Sequence, residues 1–317
     1  MSGPARPGAV AAPLRGSGPT PSQARLAQAL AALGGTVERL SELSEDRYQN
    51  PYEMVEWPAA VDPEADWFSS PELLSLRGTE AYDALDEAGR KRLAFHEAAN
   101  FFSLNIHGEK SLMQGLAARL YRKDLIDVAR YLHHFLDEEN KHSIYFGGFC
   151  TRYARVYRSR QLGFEKVESR DLDDFLFFAK TLIFEEVVDH YNRLQAKDGR
   201  LHEVARFINH NHHVEETRHL AFGRRLVEAL WTSCAPDWSE QTRADLRGYL
   251  DQFFTTMWRE YYNPDVYLDA GVPQPWEQAE LAWSAPAQRE HRRTASLKCL
   301  RFLLTAGILE REPIDAF

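Results

Sequence analysis

The sequence predicts an all-α chain, a four-helix bundle core with additional flanking helices. Three observations carry that expectation. Apolar residues recur at helical rather than strand spacing along most of the chain. One stretch, Leu125, Val128, Leu132, Phe135, Glu139, His142, Phe146 and Phe149, steps alternately by three and four residues, as the inward seam of a bundle helix does. Finally, one polar pattern occurs twice at nearly the same interval, so two helix hairpins of one design can be set side by side.

Taken in order, residues 1 to about 25 are rich in Gly, Pro, Ala and Ser and carry Arg but no acidic residue. A transit peptide would need an amphipathic helix, which Pro and Gly interrupt, so a disordered N-terminal tail over 1–25 is expected, followed by a single domain over 26–317. Leu26, Leu30, Leu33, Val37 and Leu40 predict a short amphipathic helix between Pro21 and Leu43, broken at Gly34-Gly35. Asn50-Pro51-Tyr52, Trp57-Pro58 and Asp62-Pro63 combine turn chemistry with aromatics, a segment suited to wrap one end of the core.

The metal-binding bundle is expected over about 82–232. From Tyr82 to Leu120 one stripe carries Phe102, Ile106, Glu109, Met113, Leu116 and Leu120, with a glutamate among apolar residues. The seam that follows holds Glu139 and His142 where core residues belong, and a polar group there costs free energy unless it is satisfied. A charged link from Ser159 to Arg170 lets the chain cross over or turn. Asp171 to Leu194 then puts Phe178, Leu182, Glu185 and Val188 on one stripe. Glu186 is the rival to Glu185; its stripe continues into Asp189, His190 and Arg193 and reads as solvent-facing, so Glu185 is preferred and Glu186 held in reserve. After the Asp198-Gly199 break, the fourth helix runs Leu201, Ala205, Ile208, His212, Glu216, His219, Gly223, Leu226 and Leu230. Beyond it, C-terminal helices over 240–312 are expected: one from Leu246 to Tyr262, a loop between Asn263-Pro264 and Gly271-Val272-Pro273, and one from Pro286 to Leu309. They are expected to pack on the bundle and to offer a subunit interface.

Composition narrows the function. With 44% hydrophobic and 27% charged residues, a net charge of -9 and no basic tract, a nucleic-acid partner is not expected. No apolar run approaches the roughly 18 to 20 residues that span a bilayer, so no membrane partner is expected either. Cys150, Cys234 and Cys299 are far apart and form no C-x-x-C, which indicates neither a disulfide framework nor a thiolate metal site and fits a reducing cytoplasm.

The chemistry lies in the repeat. Glu109 precedes Glu139-x-x-His142 by 30 residues (109 to 139), and Glu185 precedes Glu216-x-x-His219 by 31 (185 to 216). At about 1.5 Å of rise per residue, such an interval climbs one helix, turns and descends the next to the same height. Only two of the twelve histidines have a Glu three residues before them, and both lie on apolar stripes. His212 shares the face of Glu216 and His219. Carboxylates and imidazoles suit iron, manganese or zinc, and two divalent cations balance four carboxylates that could not all stay ionised in a dry core. Glu109, Glu139, His142, Glu185, His212, Glu216 and His219 are therefore the candidate dinuclear metal ligands, with His212 as a third imidazole that makes the two metals inequivalent. His133, His134, His202 and His291 read as surface or rim residues; His107, His210 and His213 read as supporting groups near the site. Phe101, Phe102, Phe135, Tyr145, Phe146 and Phe178 are read first as plain core and second as the lining of an organic-substrate pocket. A single-metal hydrolase is disfavoured, since no H-E-x-x-H occurs.

These residues resemble the AurF-like p-aminobenzoate N-oxygenases, ferritin-like di-iron enzymes of antibiotic biosynthesis, over roughly residues 95 to 230. The likeness rests on four Glu, two E-x-x-H pairs and a seventh ligand placed as H-x-x-x-E-x-x-H, which separates that family from bacterial monooxygenase hydroxylases and ribonucleotide reductase-like bundles. The resemblance implies two Fe ions, with Mn as the second candidate, O₂ as cosubstrate, and oxygen transfer to an aryl amine nitrogen, giving hydroxylamine, nitroso or nitro products. It implies an external reductase or ferredoxin, because the chain has no evident flavin or Fe–S motif, and a homodimer. A C-hydroxylase or desaturase on the same bundle is the alternative. A ferritin-like metal- or ligand-binding protein without turnover is the second alternative.

Overall fold

The computed structural model describes residues 19–159 and 169–317. Among the described residues every regular element is helical, and the only extended pairing is an isolated bridge between Trp67 and Leu201. Helix α1 (Pro21–Ala31) starts under a capping box in which the Thr20 hydroxyl accepts the Gln23 N–H and the Gln23 side chain accepts the Thr20 N–H. Pro21–Arg25, assigned to the tail by composition, are thus helical, and the remainder of that expected tail, residues 1–18, lies outside the described residues. The break before α2 (Gly34–Asp46) falls at Ala32-Leu33 rather than at the glycines. A largely irregular stretch follows, and it is tied to the bundle at the Trp67–Leu201 bridge.

After the single turn of α3 (Glu80–Asp83), four long helices form the bundle: α4 (Glu87–Arg119), α5 (Ala129–Tyr153), α6 (Arg170–Gln195) and α7 (Glu203–Cys234). Asp86 caps α4 by accepting the Gly89 N–H at 2.8 Å. The inward seam of the second helix is buried throughout, from Leu125 and Val128 in the 3₁₀ turn before α5 to Phe149 near its end. Relative directions follow from contacts. Glu138 of α5 reaches His219 while His142, one turn on, reaches Glu215, so α5 and α7 run antiparallel. The Phe184 ring of α6 covers Gly108 of α4 and Phe177 covers Gly115, so α4 and α6 are antiparallel too. Each hairpin, α4–α5 and α6–α7, is antiparallel in itself, as the contacts of Phe95 and Phe102 with Phe149 and Phe146 and of Asp189 and Asn192 with His213 and His212 show, so α5 and α6 are parallel. The charged link expected at Ser159 to Arg170 falls between α5 and α6 in sequence, and its residues 160–168 lie outside the described residues.

Helices α8 (Glu240–Arg259), α9 (Pro264–Asp269), α10 (Pro275–Ser284) and α11 (Pro286–Thr305) complete the chain, with α8 and α11 packed on α6 and α9 on α4. The loop expected at 263–273 contains α9: Asn263 accepts the Asp265 N–H at 3.1 Å with Pro264 at the first helical position, so the Asn-Pro pair starts a helix. The last helix stops at Thr305, short of Leu309. Gly307 adopts φ 70, and the N–H groups of Gly307 and Ile308 return to the carbonyls of Leu304 and Leu303, a Schellman ending. With α7, α4, α8 and α11 around it, α6 is buried on every face from Asp174 to Asp189. No helix among the described residues is long and apolar enough to cross a membrane.

Candidate metal centre

All seven candidate ligands meet at mid-bundle. Glu109 comes from α4, Glu139 and His142 from α5, Glu185 from α6, and His212, Glu216 and His219 from α7, none more than 4% exposed. Glu139, His142, Glu216 and His219 each offer one donor atom within 4.8 Å of the others; Glu109, His142 and His212 form a second such group, and Glu109, Glu139 and Glu185 a third. His142 Nδ1 is 3.1 Å from Glu139 and 3.6 Å from Glu216, while His219 Nδ1 is 2.9 Å from Glu139 and 3.2 Å from Glu216. His212 turns Nε2 inward, 3.0 Å from Glu216 and 3.7 Å from Glu109.

Behind the imidazoles stands a support that the spacing argument did not reach. His142 donates its Nε2–H to Glu215 at 3.0 Å, and His219 donates its own to Glu138 at 2.7 Å, so each helix orients the other's histidine. Lys141 Nζ lies 3.0 Å from Glu215 and Arg218 Nη2 2.5 Å from Glu138, holding these carboxylates in turn. The signal was available as a longer repeat, Glu138-Glu139-Asn140-Lys141-His142 against Glu215-Glu216-Thr217-Arg218-His219, an E-E-x-(K/R)-H doublet in which the first Glu supports and the second faces the centre. The Asn192 side-chain amide meets Nδ1 of His212.

Charge explains the donor set. Burial, and then the neighbouring carboxylate of Glu109, push the Glu139 carboxyl well above its ordinary range, and burial with Glu216 does the same to Glu185. Burial opposes charge on Glu216 as well, but the imidazoles of His219 and His212 outweigh it and hold that carboxyl well below its usual value. Burial likewise disfavours the charged imidazole, yet Glu216 with Glu109 raises His212 to about 9, and Glu216 with Glu138 raises His219 to about 9. For Glu138, His219 and Arg218 overcome burial and bring the carboxyl down to about 2. With protons alone the cluster balances its charge by holding Glu139 and Glu185 neutral and His212 and His219 charged, while burial and His212 push His142 toward its neutral form. Even so, Glu139 Oε1, Glu185 Oε1, Glu216 Oε2 and His212 Nε2 remain buried without a hydrogen-bond partner. Unshared donor atoms from three helices converging at one point are what a bound cation requires, so the residues fit a pair of metal ions.

Glu186 faces away from the cluster, and the reason given for setting it aside needs correction. It is 4% exposed, held by Arg224 and, at 3.7 Å, by Lys298 of α11; its stripe is buried at Glu186 and Asp189, half-buried at His190 and reaches solvent only at Arg193. Of the other histidines, His107 donates to the Tyr157 carbonyl at 2.8 Å, His213 pairs with Asp189 at 2.5 Å and His210 is exposed. His133 is exposed, and His134 approaches Glu45 at 3.3 Å. His202 stacks on Phe68, and His291, expected at the rim, is half-buried against Tyr191 with a 2.7 Å hydrogen bond to its hydroxyl. Phe135 stacks on the His219 ring at 4.1 Å and Phe146 meets His212 edge-on at 4.9 Å, so these aromatics wall the centre. Phe101 instead stacks on Tyr191.

Comparison with curated proteins gives no match. The family described as p-aminobenzoate N-oxygenase AurF matches residues 34–307, most of the chain, and takes in every ligand candidate together with the supporting Glu138 and Glu215. An all-helical ferritin-like bundle with a buried Glu/His cluster able to hold two metals agrees with that match. The chain belongs to the AurF family of di-iron N-oxygenases.

Proposed function

We propose that this protein is an O₂-dependent di-iron monooxygenase that oxygenates the nitrogen of a small aryl amine. The observation that carries the reading is the convergence of unpartnered Glu139, Glu185, Glu216 and His212 atoms among seven buried ligand side chains, in a chain of this family. Bound iron would supply the reducing electrons and the open coordination position that O₂ needs. The chain's own residues do the rest. Glu109, Glu139, His142, Glu185, His212, Glu216 and His219 hold the two ions. Glu138 and Glu215 keep the outer nitrogens of His219 and His142 protonated, which leaves their Nδ1 lone pairs aimed inward. Phe135 and Phe146, packed on the imidazoles, exclude water from that side.

In the first turnover one oxygen atom goes to nitrogen, giving the hydroxylamine, and the other leaves as water, with two electrons from an external reductase or ferredoxin and two protons from solvent. The reading includes a cytoplasmic homodimer working in antibiotic or other specialised metabolism. The test is iron content per chain together with a stopped-flow optical spectrum after the reduced protein meets O₂, for wild type and Glu216→Ala. Two irons and a transient visible band in the wild type, both lost in the variant, are expected. One zinc or no metal, with an unaltered variant, overturns the proposal.

A further inference from the structure

His142 and His219 each pass their outer N–H to a buried carboxylate that is itself gripped by Lys141 or Arg218. Such a carboxylate only accepts, so each of these two rings is held in one tautomer. His212 is supported differently: its Nδ1 meets the side-chain amide of Asn192, a fully buried residue of α6. An amide presents a donor on one side and an acceptor on the other, and a half turn about its last torsion exchanges them. With NH₂ toward the ring, the proton of a neutral imidazole must sit on Nε2, facing the Glu216 and Glu109 carboxylates off line, and Asn192 Oδ1 is left buried and unpartnered. With Oδ1 toward the ring, Nδ1–H is accepted and Nε2 becomes a bare lone pair, 3.0 Å from Glu216 and 3.7 Å from Glu109. A lone pair facing carboxylate oxygens is repulsive unless a proton or a metal ion lies between them.

We infer that Asn192 is the positioning residue of the His212 ligand: its amide oxygen fixes the Nδ1–H tautomer that aims Nε2 at a metal, and turning the amide over frees the ring. His212 is therefore the detachable imidazole of the three, because its support serves either tautomer and carries no charge. The inference rests on the dinuclear reading above. Zinc is the probe, being diamagnetic and inert to O₂. Zinc titration and ¹⁵N-histidine NMR of the wild type should give two ions per chain, two imidazoles bound through Nδ1 and one through Nε2. In Asn192→Leu the affinity for one of the two ions should fall roughly 10- to 100-fold, and the Nε2-bound signal should vanish while both Nδ1-bound signals persist. Asn192→Asp, which keeps the acceptor, should retain both ions and all three signals. Wild-type affinities and an intact Nε2-bound signal in Asn192→Leu would overturn the inference alone; a wild type that takes up no pair of ions overturns the dinuclear reading and this with it. Should Asn192→Leu not fold, Asn192→Ser, whose hydroxyl stops short of the ring, carries the same expectation and the same overturning result.

Discussion

Glu97, on α4 about three turns before Glu109, shows what one half-buried carboxyl does to stability. Its carboxyl accepts the Ser75 N–H at 3.0 Å and the Ser75 hydroxyl at 2.6 Å, and it lines a cavity of about 20 Å³ with Asn100, Tyr191 and Tyr261, room for a single water. Burial pushes its pKa up to about 8, and the two hydrogen bonds from Ser75 only partly oppose this. The native carboxyl thus stays protonated where the unfolded one, near 4.5, has ionised. The native state binds the extra proton, so stability falls as pH rises from about 4.5 through about 8 and levels off above. Glu97→Gln keeps an acceptor for Ser75 and cannot titrate. Its melting temperature should match wild type near pH 5 and exceed it increasingly toward pH 8.5; a difference that stays flat across that range would show that Glu97 is ionised in the native protein.

At the scale of elements, the approach of α4 to α6 depends on two glycines a heptad apart. A methyl group built on Gly115 would lie 1.9 Å from the Phe177 ring, and one on Gly108 would lie 2.7 Å from Phe184. Gly115→Ala gains about 1 kcal/mol in helix propensity. The ring it displaces is buried under Arg119, whose guanidinium sits 4.0 Å above it, and overpacking of this kind costs about 1–3 kcal/mol, so net destabilisation is expected in a denaturant melt. A midpoint unchanged or raised would mean that α4 and α6 can separate freely.

The same packing explains what could be read from sequence. The seam from Leu125 to Phe149 was legible because α5 keeps one apolar face, which let Glu139 and His142 stand out as exceptions. On α6 that logic failed: with every face buried as far as Asp189, the stripe of Glu186, Asp189 and Arg193 looked wet throughout, although only its Arg193 end is exposed and Arg224 and Lys298, remote in sequence, cover Glu186. Glu138 and Glu215 were visible as the first members of a repeated doublet. That each supports the histidine of the opposite helix depends on the antiparallel register of α5 and α7, which no local pattern encodes. Asn192 was hidden for the same reason, since its role exists only across α6 and α7. The short helix α9 was missed because Asn-Pro punctuates turns and helix starts alike.

For the whole molecule, the centre lies where the two hairpins meet, and each contributes carboxylates and imidazoles to it. Metal-free, the hairpins face each other across four carboxyls, with proton sharing and partial imidazole charge as the only compensation, and several donor atoms are left unpartnered. Two cations held between Glu109, Glu139 and His142 on one hairpin and Glu185, His212, Glu216 and His219 on the other would cross-link them. Because an unfolded chain offers no such site, binding adds directly to stability, by about 2.7 kcal/mol for an ion at a hundred times its dissociation constant. For a chain of this size that is a rise of roughly 4 °C in melting temperature for each ion. Chelator-stripped protein should therefore melt lower than protein given Fe(II) under argon, and the gain should grow with ion concentration. In Glu216→Ala, which loses a carboxylate lying near all three imidazoles, most of the response should disappear. A wild-type melting temperature indifferent to iron would mean that the cluster closes on protons alone and that the hairpins are held together by their apolar seams.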